Sequence, residues 1–474
     1  MTAIDTEAVV VGSGPNGLAA AIALAQAGRS VTVVESEDEI GGGTRTTDLT
    51  LPGFNHDVCS AIHPLVLASP FLSSLPLREH GLELVHPEFP LAQPLDGSDA
   101  VLLHRSTDET ADRLGRDARG YRRLMGPIVD HADALIPELL GPLRPPRHPL
   151  ALASFGLRGL RSVVRLTRAY VPGERGSALL GGLAAHSMLS LRKIPTAAVA
   201  LVLGMLAHAV GWPAARGGSR AITDAMAAYF RSIGGTIVTG RRVGSVAEFP
   251  QAGAILCDVT PRQLLEIAGA ELPGRYRKAL SGYRYGSGIF KIDWALDAPI
   301  PWMAQACAGA GTVHLGGTLE EMVASEDEVI AGRHPEQPFV LLAQQSMFDP
   351  TRAPAGKHTA WAYCHVPAGS TTDMTAAIEG QLERFAPGFR DVVLARSTMT
   401  AHTIEGYNQN YIGGDINGGV QDIFQHFTRP VVRLNPYTTP NRRIFICSSS
   451  TPPGGGVHGM CGYFAARAAL RRAF

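Results

Sequence analysis

The most regular hydrophobic pattern lies at the start of the chain. Ala8-Val-Val-Val11 is apolar at every position, which predicts a strand buried on both faces, as in a parallel sheet. It breaks at Gly12-Ser-Gly-Pro-Asn-Gly17, and an alanine-rich helix is predicted from there to Gly28. Ser30-Val-Thr-Val-Val-Glu35 returns to strand and ends on an acid. Residues 107–140 read as helical, with Tyr121, Leu124, Ile128 and Leu135 at mixed three- and four-residue intervals. After the breaker Gly141-Pro-Leu-Arg-Pro-Pro-Arg-His-Pro149, residues 150–170 predict a helix with Arg158, Arg161, Arg165 and Arg168 on one face. The uncharged stretch between Pro195 and Pro213 is marginal in length for a membrane span and interrupted by glycine and histidine, so it reads as a buried helix lining a pocket.

The strand–helix alternation then resumes. Arg216-Gly-Gly-Ser219 precedes an amphipathic helix through Ile222, Met226, Tyr229 and Phe230, and strands are predicted at 236–239, 242–246 and 254–258. Between about 280 and 430, strands at 290–294, 339–343 and 359–365 are separated by long polar connections, with a helix over 374–385. The chain closes with a strand at 443–447, a glycine turn at Gly454-Gly455-Gly456, and a helix through Ala465 to Leu470. The pattern predicts an α/β protein: a discontinuous Rossmann-type domain from residues 1–75, 215–275 and 436–474, and an α+β substrate domain with a mostly antiparallel sheet from 76–214 and 276–435.

The chemistry concentrates at the glycine turns. In the first, Gly12 permits a tight turn, Gly14 lets backbone approach a pyrophosphate at a helix N-terminus, and Gly17 allows close packing of helix on strand. Glu35, at the end of the next strand, suits the two hydroxyls of an adenosine ribose. A second cluster, Glu39-Ile-Gly-Gly42-Gly43-Thr44-Arg45, lies so close to that acid that the far half of the dinucleotide is expected along it, which favours FAD over NAD. The C-terminal turn is expected against the flavin pyrimidine, its amides and helix dipole facing negative charge at N1 and O2. The candidate cofactor contacts are Gly12, Gly14, Pro15, Asn16, Gly17, Glu35, Gly42, Gly43, Thr44, Arg45, Val243, Gly455, Gly456, Val457, His458 and Met460. No catalytic base is identified; by location His458 is either that base or a structural, helix-capping histidine. The polar stretch Asn55 to His63 is open between a place near the flavin and an ordinary polar loop, and the glycine-rich segment Glu405 to Asp415 between a ligand approach and a plain loop.

Composition narrows the classes. The 42 Lys+Arg residues balance 42 Asp+Glu, so no net field draws the chain to nucleic acid. Only 18 % of residues are charged against 45 % hydrophobic, in keeping with a large core, an apolar cavity or a lipid-facing surface. The basic face over 150–170 has two readings, peripheral contact with an anionic membrane or a solvated helix face. Six cysteines without C-x-x-C spacing argue against a dithiol redox centre, and the histidines form no metal-binding spacing, so no metal is expected. With few residues before the first strand, no targeting segment is expected and the cytoplasm is the default location.

Taken with His56-Asp-Val-Cys-Ser-Ala-Ile-His63, Tyr283-Arg-Tyr-Gly286, Phe290-Lys-Ile-Asp-Trp-Ala-Leu-Asp297 and Ser448 to Cys461, these segments resemble the phytoene desaturase-like branch of the carotenoid desaturase/flavin amine oxidase superfamily over essentially the full length. Within it the chain is most like the pyridine nucleotide-disulfide oxidoreductase domain-containing protein 2 group. The resemblance implies non-covalent FAD in a two-domain fold, with a tunnel bringing a hydrophobic substrate to the flavin. One departure bears on Arg45: relatives often carry Gly-Gly-Arg at the second glycine cluster, whereas here the third position is Gly43 and the arginine is Arg45. The function expected is an FAD-dependent dehydrogenase or desaturase passing hydride from an apolar, isoprenoid-like substrate to flavin N5, with oxygen or a quinone as electron acceptor. Redox-neutral double-bond isomerisation on reduced FAD, and a regulatory role with structural FAD, are the alternatives.

Overall fold

Two sheets organise the molecule, a computed structural model that describes residues 5–474. The first is fully parallel, with strands in the order Ile444–Ile446, Ala254–Cys257, Ala8–Val11, Val31–Val34 and Thr236–Val238. Ala8–Val11 sits at its centre, and Ala8, Val9 and Val10 are wholly enclosed, as expected of a run apolar at every position. Helix Pro15–Gln26 covers one face and packs against both Arg220–Ser232 and the C-terminal helix Met460–Arg472. The sheet therefore draws its strands from three separated stretches of chain.

The second sheet has seven strands in the order Val393–Met399, Gly288–Leu296, His358–Val366, Val340–Ala343, Ala310–Leu315, Phe89–Pro94 and Ala100–Leu103. Every pairing is antiparallel except that of Ala310–Leu315 with Phe89–Pro94. The predicted α/β class with a mostly antiparallel second sheet is borne out. Alternation along these strands divides their residues between two unlike faces. One carries Phe290, Ile292, Trp294, Val313, Leu342 and Ala362, packed as apolar core under helix Thr375–Phe385. The other carries Lys291, Asp293, Thr312, His314, Trp361, Tyr363 and His365, all buried. A polar face withdrawn from solvent implies partners or ligands on that side.

Helices between residues 107 and 209 roof this polar face. Thr196–Ala209 is the predicted buried helix: Leu201, Met205 and Leu206 are enclosed. The structure corrects two expectations here. Residues 150–170 form two helices, Pro149–Gly159 and Val163–Tyr170, because Ser162 leaves the first and caps the second by accepting from the Arg165 N–H at 3.3 Å. The four arginines therefore do not continue one helical face; Arg158 and Arg161 fold back onto the carbonyls of Ser154 and Leu157. The second correction is at 242–246, which is not a strand. Glu248 Oε1 accepts from the N–H groups of Gly244 and Ser245 at 2.8 and 3.0 Å, curling the chain into a 3-10 turn at Val246–Glu248.

Candidate dinucleotide and substrate site

The glycine turn has the geometry that its residues require. Gly12 adopts φ +101°, and its N–H reaches the Val34 carbonyl at 2.9 Å, tying the turn to the second strand. A Cβ at Gly17 would collide with the Gly12 carbonyl oxygen, so only glycine lets the helix start this close to the strand. Gly14, the N-cap, has no side chain to cap the helix and Pro15 opens it; of the first turn's N–H groups, that of Gly17 is taken by the Asp258 carboxyl at 2.9 Å. Beside it the side-chain oxygen of Asn16 is buried without a partner. A glycine backbone at a helix N-terminus that lines the cavity fits an anionic pyrophosphate.

The second glycine cluster closes the same cradle. A Cβ on Gly42 (φ +54°) would stand 3.2 Å from the Gly14 Cα, and one on Gly43 would strike the Tyr411 hydroxyl. Thr44 is fully buried, its hydroxyl donating to the Gly41 carbonyl at 2.8 Å and sharing a 3.1 Å contact with the Thr223 hydroxyl. Glu35 Oε2 accepts from the Ser13 N–H at 2.8 Å and the Ser13 hydroxyl at 2.5 Å, and Oε1 accepts from the Glu37 N–H at 3.1 Å. The ribose acid thus braces the glycine turn itself. Arg45 donates to the Glu39 carbonyl at 2.8 Å, lies 3.6 Å from Glu35 and stacks over Tyr407 at 5.6 Å. Its guanidinium is committed to holding the loop and the acid in place, and Tyr411 fills the space at Gly43.

One cavity of about 420 Å³ joins these parts. Of the sequence candidates, Gly12, Gly14, Pro15, Asn16, Glu35, Gly42, Gly43, Thr44, Arg45, Val243, Gly456 and Val457 line it. Gly17, Gly455, His458 and Met460 stand behind its wall. Gly455 backs onto the Asn417 main chain, where a Cβ would meet the carbonyl at 3.0 Å. His458 is 1 % exposed; Nδ1 accepts from the Met460 N–H at 3.0 Å and Nε2 lies 3.2 Å from the Gly454 carbonyl oxygen. Burial pushes its imidazole down to about 4. The imidazole thus takes the first N–H of the C-terminal helix, a structural contact. That helix is seated by Gly462, where a Cβ would strike the Asn16 carbonyl.

The stretch Asn55 to His63 is divided. Cys59 to His63 line the cavity, whereas His56 and Asp57 lie behind it in a buried ionic network. Burial opposes ionisation of Asp57, but Arg352 at 2.9 Å and hydrogen bonds from the Ser219 N–H and Thr46 hydroxyl outweigh it and hold the carboxyl below its usual range. His56, 3.6 Å from Asp293, is pushed down to about 3 by burial and then by Lys291, which is ion-paired with Asp293.

Asp258 is a cavity residue that sequence reasoning missed. It follows the strand Ala254–Cys257, and its Oδ2 accepts from the Gly17 N–H at 2.9 Å. Burial raises its carboxyl to about 7, the Gly17 bond opposes that, and Glu35 adds to it. The available signal was an acid at the C-terminal end of a third parallel strand, where such sheets bind ligands. Also missed were His186, Thr312, Leu341, Trp361 and Tyr363, which form the cavity's other wall with Leu203 and Trp212.

Residues 10–70 match the family model described as an NAD(P)-binding Rossmann-like domain. Fold, cradle and cavity define the class as a Rossmann-based oxidoreductase. Within it, the chain is 27 % identical to pyridine nucleotide-disulfide oxidoreductase domain-containing protein 2 of Rattus norvegicus, over 98 % of this chain and 94 % of that one. It is 23 % identical to a lycopene-forming phytoene desaturase of Paracoccus sp., over 96 % and 95 %. An oxidoreductase structure from Methanosarcina mazei superposes with a TM-score of 0.66 at 16 % identity, covering 98 % of this chain and 99 % of that one, and so shares the fold. The resemblance read from the sequence is borne out: over nearly its full length the chain is similar to phytoene desaturases and to the domain-containing protein 2 group, and that similarity marks it as an FAD-dependent oxidoreductase enzyme.

Proposed function

We propose that the protein holds FAD non-covalently and removes two hydrogens from an apolar substrate, as a dehydrogenase or desaturase. The observation that carries this reading is the single cavity running from the glycine cradle and Glu35 to a wall of Leu203, Trp212, Leu341 and Trp361. FAD, when bound, supplies a two-electron acceptor for hydride. On the protein side, Gly12, Gly14 and Asn16 receive the pyrophosphate, Glu35 the ribose hydroxyls, and Gly42 to Arg45 with Gly456 and Val457 the remainder. Val243 lies beside the Glu35 end as an apolar contact. The aromatic and aliphatic wall orients the substrate and excludes water. The phytoene desaturases among the relatives favour a hydrophobic substrate, and oxygen or a quinone would reoxidise the flavin.

The test is direct. Purified protein is yellow, releases intact FAD on acid treatment, and shows anaerobic flavin reduction by a hydrophobic substrate whose product is two hydrogens lighter by mass spectrometry. A colourless protein that takes up no FAD, or flavin retained covalently in the precipitate, overturns the cofactor assignment. Isomerised product formed only after prereduction overturns the dehydrogenase reading.

A further inference from the structure

We propose that Asp258 is a cofactor-binding residue that acts in its protonated form, its O–H donating to the dinucleotide phosphate, so that FAD binding takes up a proton. The proposal rests on the glycine cradle being the seat of FAD and goes beyond it in giving this carboxyl a role and making cofactor loading depend on pH.

The geometry carries the argument. Asp258 stands at the C-terminal end of Ala254–Cys257 and lines the cavity at the glycine turn, where a Cβ on Gly14 would lie 3.0 Å from its Oδ2. The residue is 8 % exposed. Oδ2 accepts from the Gly17 N–H at 2.9 Å, which places the proton of the neutral carboxyl on Oδ1. Among the described residues Oδ1 meets no donor, and unlike the orphaned Asn16 oxygen it is not sealed inside the protein. The hydrogen-bonding capacity of this oxygen is therefore open to a ligand in the cradle.

Charge selects the protonated form. A pyrophosphate brings its negative charge to a helix N-terminus whose dipole supplies only about half a unit of positive charge. The nearest arginine, Arg45, stands 3.6 Å from Glu35, Arg241 is ion-paired with Glu248, and Arg242 is exposed, so no cation offsets a charge on Asp258. An ionised Asp258 would compete with the phosphate for the same helix N-terminus and repel it in a buried site, whereas the neutral carboxyl donates to it. Burial raises the carboxyl to about 7, so the empty protein holds both forms near neutral pH. The other groups around it leave that balance to Asp258. Helix Pro15–Gln26 has no ionisable side chain, and Asn410 on the facing loop offers an amide that donates to the Asp258 carbonyl at 3.1 Å. Burial holds the thiols of Cys257, Cys447 and Cys461 and the phenol of Tyr411 protonated. Glu35, Glu37 and Glu266 are the remaining carboxyls that line the cavity.

The experiment is calorimetric titration of FAD into the whole chain freed of flavin, from about pH 6 to about pH 8.5, in buffers of different ionisation enthalpy so that protons taken up on binding are counted. Kd should be level at the acid end and rise about tenfold for each pH unit once the carboxyl ionises, with uptake approaching about one proton per FAD at the alkaline end. Asp258→Asn keeps an acceptor for the Gly17 N–H and presents a permanent N–H donor in place of the O–H. Its Kd should match the wild-type value at the acid end and stay level, without proton uptake. The wild-type profile and proton count carry the test by themselves if the variant fails to fold. A wild-type Kd that is level across the range, or the same slope in Asp258→Asn, overturns the proposal. FAD that binds at no pH sinks the cofactor reading together with this one, whereas FAD bound with a pH-independent Kd sinks the protonated carboxyl alone.

Discussion

Replacing Glu35 separates two roles that the structure superimposes on one carboxylate. Its oxygens accept from the Ser13 N–H, the Ser13 hydroxyl and the Glu37 N–H, and it is 6 % exposed. Glu35→Ala leaves the buried Ser13 N–H without an acceptor. A hydrogen bond to a charged group contributes about 1.5–3 kcal/mol, so the apoprotein should lose at least that much stability before any ligand is considered. The ribose hydroxyls would also lose their acceptor, and forfeiting one such bond weakens FAD binding by about 10- to 100-fold in Kd. Glu35→Gln keeps one acceptor oxygen for Ser13 and should recover most of the stability while recovering less of the affinity. The assays are urea unfolding of apoprotein and fluorescence titration with FAD. Normal FAD affinity in a destabilised Glu35→Ala protein would reduce the residue to a brace for the turn, and normal values for both would refute the reasoning.

Further outcomes follow from other contacts. Gly17→Ala drives a methyl into the Gly12 carbonyl and should abolish FAD uptake along with several kcal/mol of stability; an FAD-replete variant would show that the turn can relax. Asp258, raised by burial to about 7 from an ordinary carboxyl, holds its proton in the folded state over a range where the unfolded chain has released it. Its contribution to stability is therefore lost as pH rises from about 4 through 7, and Asp258→Asn should flatten the unfolding profile in that window; an unchanged slope would refute the assignment. Peripheral membrane contact through residues 150–170 is supported by Leu150, Leu157 and Leu160, which are 86 %, 73 % and 53 % exposed beside the arginines. Replacing Arg158, Arg161, Arg165 and Arg168 by glutamine should lower binding to phosphatidylserine vesicles at low salt and leave FAD content unchanged, whereas wild-type indifference to such vesicles would leave an ordinary surface. Among the described residues no helix is long and apolar enough to cross a bilayer.

What the amino-acid sequence determined by itself is local. An unbroken apolar run, a turn needing positive φ at Gly12, a proline at the first helical position and an acid after the next strand each state their requirement within a few residues, so the cradle was legible before any folding. The strand over Phe290 to Trp294 was legible in the same way. Tertiary structure decided which of its two faces met the cavity, since period two is indifferent to direction. Partnerships across long separations were also invisible: Asp258 with Gly17, Tyr411 against Gly43, and His186 with His314 are brought together by sheet order and helix packing. The helix over 150–170 failed for a related reason. Its periodicity survived a break at Ser162, where a local hydroxyl cap competed successfully with one more turn of helix. Capping likewise decided His458, because a glycine turn beside a histidine carries no mark, in one dimension, of whether the imidazole faces the ligand or the first N–H groups of the helix behind it.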